Sequence, residues 1–156
     1  MRKRNIILAF LGCLGSVLLI SGLTFQNSGQ SAQLTLKFVN LFEKVHFHLT
    51  GTMMAEYPIY HMMRKLAHTA EYFLLGASAC YFFSRWQKRY AWSALALSAA
   101  FSLFDQTSKL LVPGREFDPT DFPFDIAGYL LGIGLILLLQ RPWAKRAVNQ
   151  TANTFY

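Results

Sequence analysis

The stretch Ile6–Leu23, IILAFLGCLGSVLLISGL, runs for eighteen residues without a charge and follows Arg2, Lys3 and Arg4. As a helix it rises about 27 Å, close to the ~30 Å hydrocarbon core of a bilayer. It therefore reads as a membrane span. A cleaved leader also sets an apolar run behind basic residues, and Ser28, Gly29, Ser31 and Ala32 would permit cleavage. Against that, the run is longer than the usual leader core and no clean Ala-x-Ala site follows it. Cys13 behind Phe10-Leu11-Gly12 is a poor lipoprotein site.

Three further runs have helical length. They are Leu66–Phe83, interrupted by His68 and Glu71; Tyr90–Phe104, extending to about residue 106; and Phe122–Leu139, interrupted by Asp125. With spans at about 6–23, 66–83, 90–106 and 122–139, the expected fold is all-α, an integral membrane four-helix bundle. The 156 residues form a single domain, 1–156. Only 15% are charged and 53% are hydrophobic, which excludes disorder for most of the chain. Cys13 and Cys80 both lie in apolar runs, too few and too greasy for a disulfide framework. The net charge of +7 comes with no long Lys/Arg run, so no nucleic-acid partner is expected.

The charges instead orient the bundle. Arg2, Lys3, Arg4, Arg85, Lys88, Arg89, Arg141, Lys145 and Arg146 fall before span 1, between spans 2 and 3, and after span 4, where no acidic residue occurs. All 8 acidic residues lie elsewhere. The positive-inside rule places these segments, and both termini, in the cytoplasm. Trp86, Trp92 and Trp143 sit near the same ends, as an aromatic belt would. Thr24–Lys65 and Asp105–Asp121 then face outward. Within the longer of these, Leu34, Phe38, Leu41, Phe42, Val45 and Leu49 recur at helical spacing. This predicts an additional outer amphipathic helix over about 32–49, with Ser31 as N-cap and Thr50-Gly51 as stop. It lies either on the outer leaflet or folded over the bundle. Pro58 marks the start of a long second helix, and residues 147–156 form a polar, frayed tail.

Polar residues inside apolar runs are expensive, and such residues are usually paired and functional. Arg64, His68, Glu71, Tyr72 and Leu75 share one helix face, with Lys65 beside it. Asp121, Asp125, Gly128 and Gly132 share another, the two glycines permitting close helix approach. Asp105-Gln106 ends the third span, and the following loop adds Arg115 and Asp118. These groups all fall at one depth, just beneath the outer surface. Arg64, Lys65, His68, Glu71, Tyr72, Asp105, Gln106, Arg115, Asp118, Asp121 and Asp125 are the expected ligand-binding set. Its five carboxylates outnumber its three cations, so a plain phosphate clamp is not indicated.

Two stretches resemble a known family. Arg64-Lys65-Leu66-Ala67-His68-Thr69-Ala70-Glu71-Tyr72 with Leu75-Gly76 is similar to the first motif of the VanZ-like membrane proteins. Pro113-Gly114-Arg115 with Asp121, Asp125, Gly128 and Gly132 is similar to their second, with Asp105 at its acidic start. Phe25–Ser31 resembles the segment that follows their first span. The likeness covers roughly residues 20–135. The family pattern has Glu where this chain has Gln106, and Gln where it has Lys109. The resemblance implies a multi-pass protein of the bacterial cell membrane, in a family named for a member linked to low-level teicoplanin resistance. It carries no defined activity.

Three readings of the cluster stand open. The cluster can bind a membrane lipid, a lipid-linked envelope component or a glycopeptide antibiotic, and so lower teicoplanin-type susceptibility. It can be purely structural, with His68, Glu71 and Asp125 pairing with Arg64, Lys65 and Arg115 to fix register. It can be a membrane-embedded hydrolase acting on an envelope lipid precursor, using His68, Glu71 and Asp125 as acid–base groups or as ligands of a divalent ion. No nucleophile elbow, HExxH or phosphatase motif supports the third. No resident cofactor or metal is expected, and four spans without an inverted repeat make too little for a carrier.

Overall fold

The computed structural model describes the backbone of residues 2–53 and 56–152 and the side chains of residues 5–53 and 58–140. Five helices follow in order: α1 Arg2–Thr24, α2 Ser28–Thr50, α3 Glu56–Phe83, α4 Tyr90–Ser108 and α5 Phe122–Ala152. Two short 3-10 turns, Lys109–Leu111 and Pro119–Asp121, lie between α4 and α5. The described residues contain no strand, so the expected all-α class holds.

Two stretches, Asn5–Thr24 and Pro119–Gln140, are long and apolar enough to cross a membrane. The stretches expected as the second and third spans do not reach that standard. Arg64, Lys65, His68 and Glu71 break the apolar run of α3, and α4 is short and rich in Ala and Ser. Only 22% of the first apolar stretch and 28% of the second are buried within the chain. The core helix of a soluble domain would be mostly covered. Here Leu8, Leu11, Leu18, Leu131 and Leu138 all face outward.

The outer helix begins earlier than its sequence pattern indicated. Its N-cap is Asn27, not Ser31. The Asn27 side chain accepts from the Gln30 backbone N–H at 2.8 Å, and the Gln30 side chain accepts from the Asn27 N–H at 3.3 Å, closing a reciprocal capping box. The stop is where it was expected: Gly51 adopts φ 70°, a left-handed conformation that glycine takes without penalty. Pro58 stands in the first turn of α3, where a missing N–H costs nothing. Residues expected to form a frayed tail are helical as far as Ala152; residues 153–156, and the side chain of Trp143, lie outside the described residues.

The centre of the fold is α3, which packs against all four other helices. Tyr72, Leu75, Ala79 and Cys80 form a core with Cys13 and Ile20 of α1, Ala94 of α4, and Tyr129 and Ile133 of α5. Both cysteines are free thiols. The α3–α5 contact is backbone on backbone. A Cβ on Gly128 or Gly132 would overlap the carbonyl of Thr69 or Phe73, and one on Gly76 would lie 2.5 Å from the Tyr129 carbonyl oxygen. The small-residue pair read from the sequence therefore packs within this one bundle.

Gly128→Ala and Gly132→Ala are each predicted to destabilise the fold by about 1–3 kcal/mol through overpacking. Gly12→Ala and Gly15→Ala, whose added methyl groups meet nothing within 4 Å, are predicted to be neutral or slightly stabilising. Thermal unfolding of the full chain in detergent checks both.

Candidate functional site

The polar cluster is built around Asp121, which is completely buried at the start of α5. One carboxylate oxygen, Oδ1, meets Lys65 Nζ of α3 at 2.5 Å. The other, Oδ2, meets Lys109 Nζ at 3.1 Å, Gln106 Nε2 at 3.3 Å and His68 Nε2 at 3.2 Å. A buried carboxylate without partners is costly, and this one has a partner on each of three segments. One turn further along α5, Asp125 is also fully buried. Its Oδ2 accepts from Ser102 of α4 at 2.7 Å, and its Oδ1 faces His68 Nδ1 at 3.2 Å. Asp105 accepts from the Thr24 hydroxyl at the end of α1 and lies 3.7 Å from Lys109 Nζ. Four helices thus converge on one polar interior.

Lys65 also donates to Thr120 Oγ1 at 2.7 Å and approaches Asp118 Oδ2 at 3.4 Å. Asp118 accepts from both the hydroxyl and the N–H of Thr120, and the hydroxyl contact above all holds its pKa below the ordinary carboxylate value. Arg115 behaves differently from the expected ion-pair partner. It donates from Nε to the Gln26 carbonyl at 3.1 Å and from Nη2 to the Leu23 carbonyl at 2.8 Å, capping the C-terminal end of α1. Burial, and the neighbouring charge of Arg64, lower its pKa from the usual guanidinium value. The pairing expected of Arg64, Lys65 and Arg115 with His68, Glu71 and Asp125 is thus replaced. Lys65 goes to Asp121 and Asp118, Arg115 goes to backbone carbonyls, and His68 lies between two aspartates.

Two hollows adjoin the cluster. An inner cavity of about 60 Å³ is walled by His68, Glu71, Asp105 and Lys109 on one side and roofed by Ser31, Leu34 and Thr35 of α2. It has room for a few water molecules. An outer hollow of about 410 Å³ lies between α2, Tyr60 and the loop Gly114–Asp118. Arg64, Arg115 and Ser31 line both. Tyr72 is fully buried beside the cluster, its hydroxyl turned to Ser102 of α4. Of the remaining histidines, His46 contacts the Thr52 carbonyl at 3.1 Å at the far end of α2, and His61 stacks edge-on against Tyr60.

Sequence reasoning missed Lys109, Ser102 and Thr24 as members of the site. Lys109 is 1% exposed, an extreme value for a lysine, and it contacts two of the three buried aspartates. A signal was present: Ser98, Ser102, Asp105, Gln106 and Lys109 form a buried polar stripe at helical spacing along an otherwise apolar helix. With Lys109 included, four cations stand against five carboxylates in the cluster. One donor set is suited to a metal: His68, Asp105 and Asp125, all buried, present ligand atoms within 4.8 Å of one another.

An all-helical chain with two membrane-length apolar stretches turned outward and three aspartates gathered inside is a membrane-associated helical protein. The chain belongs to the VanZ/LLP1 family, whose model matches residues 7–140. No curated protein and no solved structure matches it.

Asp121→Asn is predicted to destabilise the fold by about 3–5 kcal/mol, since it takes from Lys65 and the buried Lys109 their nearest carboxylate. Adding Lys109→Gln to that variant is predicted to recover part of the loss. Unfolding midpoints of the single and double variants decide the matter, and additive losses would contradict the coupling.

Proposed function

We propose that this chain is a multi-pass cell-membrane protein whose outward-facing cluster binds the anionic head group of an envelope lipid or lipid-linked precursor. One observation carries the reading. Arg64 and Arg115 line both the outer hollow and the inner cavity, while Asp121, Asp125 and Asp105 are engaged by Lys65, Lys109, Ser102 and Thr24, leaving Glu71 as the carboxylate beside them. Two guanidinium groups at the mouth of a polar cavity favour a phosphate or carboxylate. Glu71, Ser31 and Thr35 further in supply acceptors and donors for a hydroxyl-bearing head.

The helix α2 supports a membrane setting for this cleft. Val39 is its fully buried apolar residue, whereas Phe38, Leu41, Val45, Phe47 and Leu49 are exposed. Such a face suits the headgroup boundary, and it sets the cleft where a lipid head group arrives from the side. Sequestering a lipid-linked envelope component there would lower teicoplanin-type susceptibility by altering what the drug meets at the surface.

Short-chain phosphatidylglycerol is predicted to bind the purified full chain in detergent, with phosphatidylcholine binding more weakly. Arg64→Gln is predicted to weaken phosphatidylglycerol by about tenfold, the loss of one charge-assisted contact. Equal binding of the two lipids, or an unaffected folded Arg64→Gln variant, would sink the proposal. In a sensitive Gram-positive host, wild type is expected to protect against teicoplanin and Arg64→Gln or Glu71→Gln at matched membrane levels to protect less.

The orientation has its own test. With both termini cytoplasmic, a cysteine placed at Gly51 is predicted to react with a membrane-impermeant maleimide in intact cells. One placed at Gln87 should react only after permeabilisation. The reverse pattern would invert the topology.

A further inference from the structure

We infer that His68, Asp105 and Asp125 form a binding site for a divalent metal ion at the wall of the inner cavity. The inference stands apart from lipid binding, because it rests on groups deeper than the arginines.

The key contact is between His68 Nδ1 and Asp125 Oδ1. They lie 3.2 Å apart, both buried, yet neither has a hydrogen-bond partner. The other atoms of the two residues also face polar groups. His68 Nε2 is 3.2 Å from Asp121 Oδ2, and Asp125 Oδ2 accepts from Ser102. When Nε2 carries the ring proton and faces the Asp121 carboxylate, Nδ1 is left with a lone pair. That is the orientation in which a carboxylate holds a metal-binding histidine. A nitrogen lone pair then faces a carboxylate oxygen, an arrangement that a metal cation between them makes favourable. A separation of 3.2 Å is what two neighbouring ligands of one ion show when each lies about 2.0–2.2 Å from it. Asp105 supplies the third donor within the same 4.8 Å.

Two further observations agree. Gln106 Oε1 is buried beside this group without a hydrogen-bond partner, leaving a polar atom for a water or ion to satisfy. Charge points the same way. Around the buried Asp105, Asp121 and Asp125 the protein places two ammonium groups, Lys65 and Lys109, with Glu71 at the cavity wall adding another carboxylate. Both ammonium groups are directed at Asp121, Lys109 also lies 3.7 Å from Asp105, and neither contacts Asp125. One nitrogen with two carboxylates suits Mn²⁺ or Zn²⁺ better than Mg²⁺ or Ca²⁺, which favour oxygen alone. The cavity beside the site leaves one side of the ion open to water or to an oxygen of a bound molecule.

The test uses the full chain in detergent, stripped with a chelator, then equilibrated with Mn²⁺ or Zn²⁺ and freed of excess metal. Elemental analysis is expected to find one equivalent per chain. His68→Gln and Asp125→Asn are expected to weaken binding more than about tenfold. The triple variant His46→Gln, His48→Gln, His61→Gln keeps His68 as the sole histidine, and it covers the case in which the buried variants fail to fold. Its Mn²⁺ is expected to retain nitrogen coupling in pulsed electron paramagnetic resonance. Failure of the wild-type chain to retain either metal, loss of the nitrogen coupling in the triple variant, or a folded His68→Gln that keeps its metal would overturn the inference. The first of those outcomes would make His68 an imidazolium bridging two aspartates. Binding of phosphatidylglycerol by the metal-free chain reads the lipid proposal separately.

Discussion

A carboxylate with no access to water must be met by the protein, and Asp121 is met from every side. Its two oxygens draw Lys65 from the first turns of α3, Gln106 from the end of α4, and Lys109 from the turn that follows. None of these segments can shift without stripping a buried charge, at a cost of several kcal/mol. The connection from α4 to α5 is held by the same demand. Lys109 can reach Asp121 because α4 gives way to a 3-10 turn there, and the turn Pro119–Asp121 delivers the carboxylate back to it. Arg115 secures the middle of that connection to the Leu23 carbonyl of α1 and the Gln26 carbonyl just beyond it. The site and the fold at this end of the molecule are therefore one set of interactions.

The geometry of His68 depends on a different constraint, the close approach of α3 and α5. Gly128 lies against the Thr69 carbonyl and Gly132 against that of Phe73. Thr69 follows His68 in sequence, and Asp125 precedes Gly128 by one turn. Backbone contact between the two helices thus sets the distance between imidazole and carboxylate. Larger residues would hold the helices at the usual 8–10 Å and withdraw His68 from Asp125. Small residues further along the face serve chemistry here as much as packing.

The helical content and the inward faces of α3 and α5 were legible because each is a property of one helix: a run, a period, a glycine pair. Gly51 was legible because a left-handed stop has a strong residue preference. What escaped was relational. Asn27 and Ser31 both qualify as caps, and the choice between them turns on Gln30 reaching back to the Asn27 backbone. Lys109 looked like a departure in a loop, because nothing along the chain says that residue 109 returns to residue 121. Arg115 was expected to seek carboxylates, the commoner partners of arginine, but the end of α1 offers carbonyls nearer at hand. The membrane reading was clear for the first and last runs. It was weaker for α3 and α4, whose polar residues are the ones the bundle gathers inside.

The two departures from the family pattern are one exchange. A Glu in place of Gln106 would set a second carboxylate against Asp121 Oδ2, and a Gln in place of Lys109 would bring no charge to offset it. Such a corner needs a proton or a cation from elsewhere. Here Gln106 donates to that oxygen and Lys109 brings its own ammonium to it, so each change adds one unit of positive charge at the same buried atom. Asp121 is thereby satisfied by the chain itself and serves as a structural anchor. The demand for a partner passes one turn along α5, to Asp125 Oδ1 and the imidazole nitrogen facing it. That corner reaches the cavity through His68, whose wall Arg64 and Arg115 share.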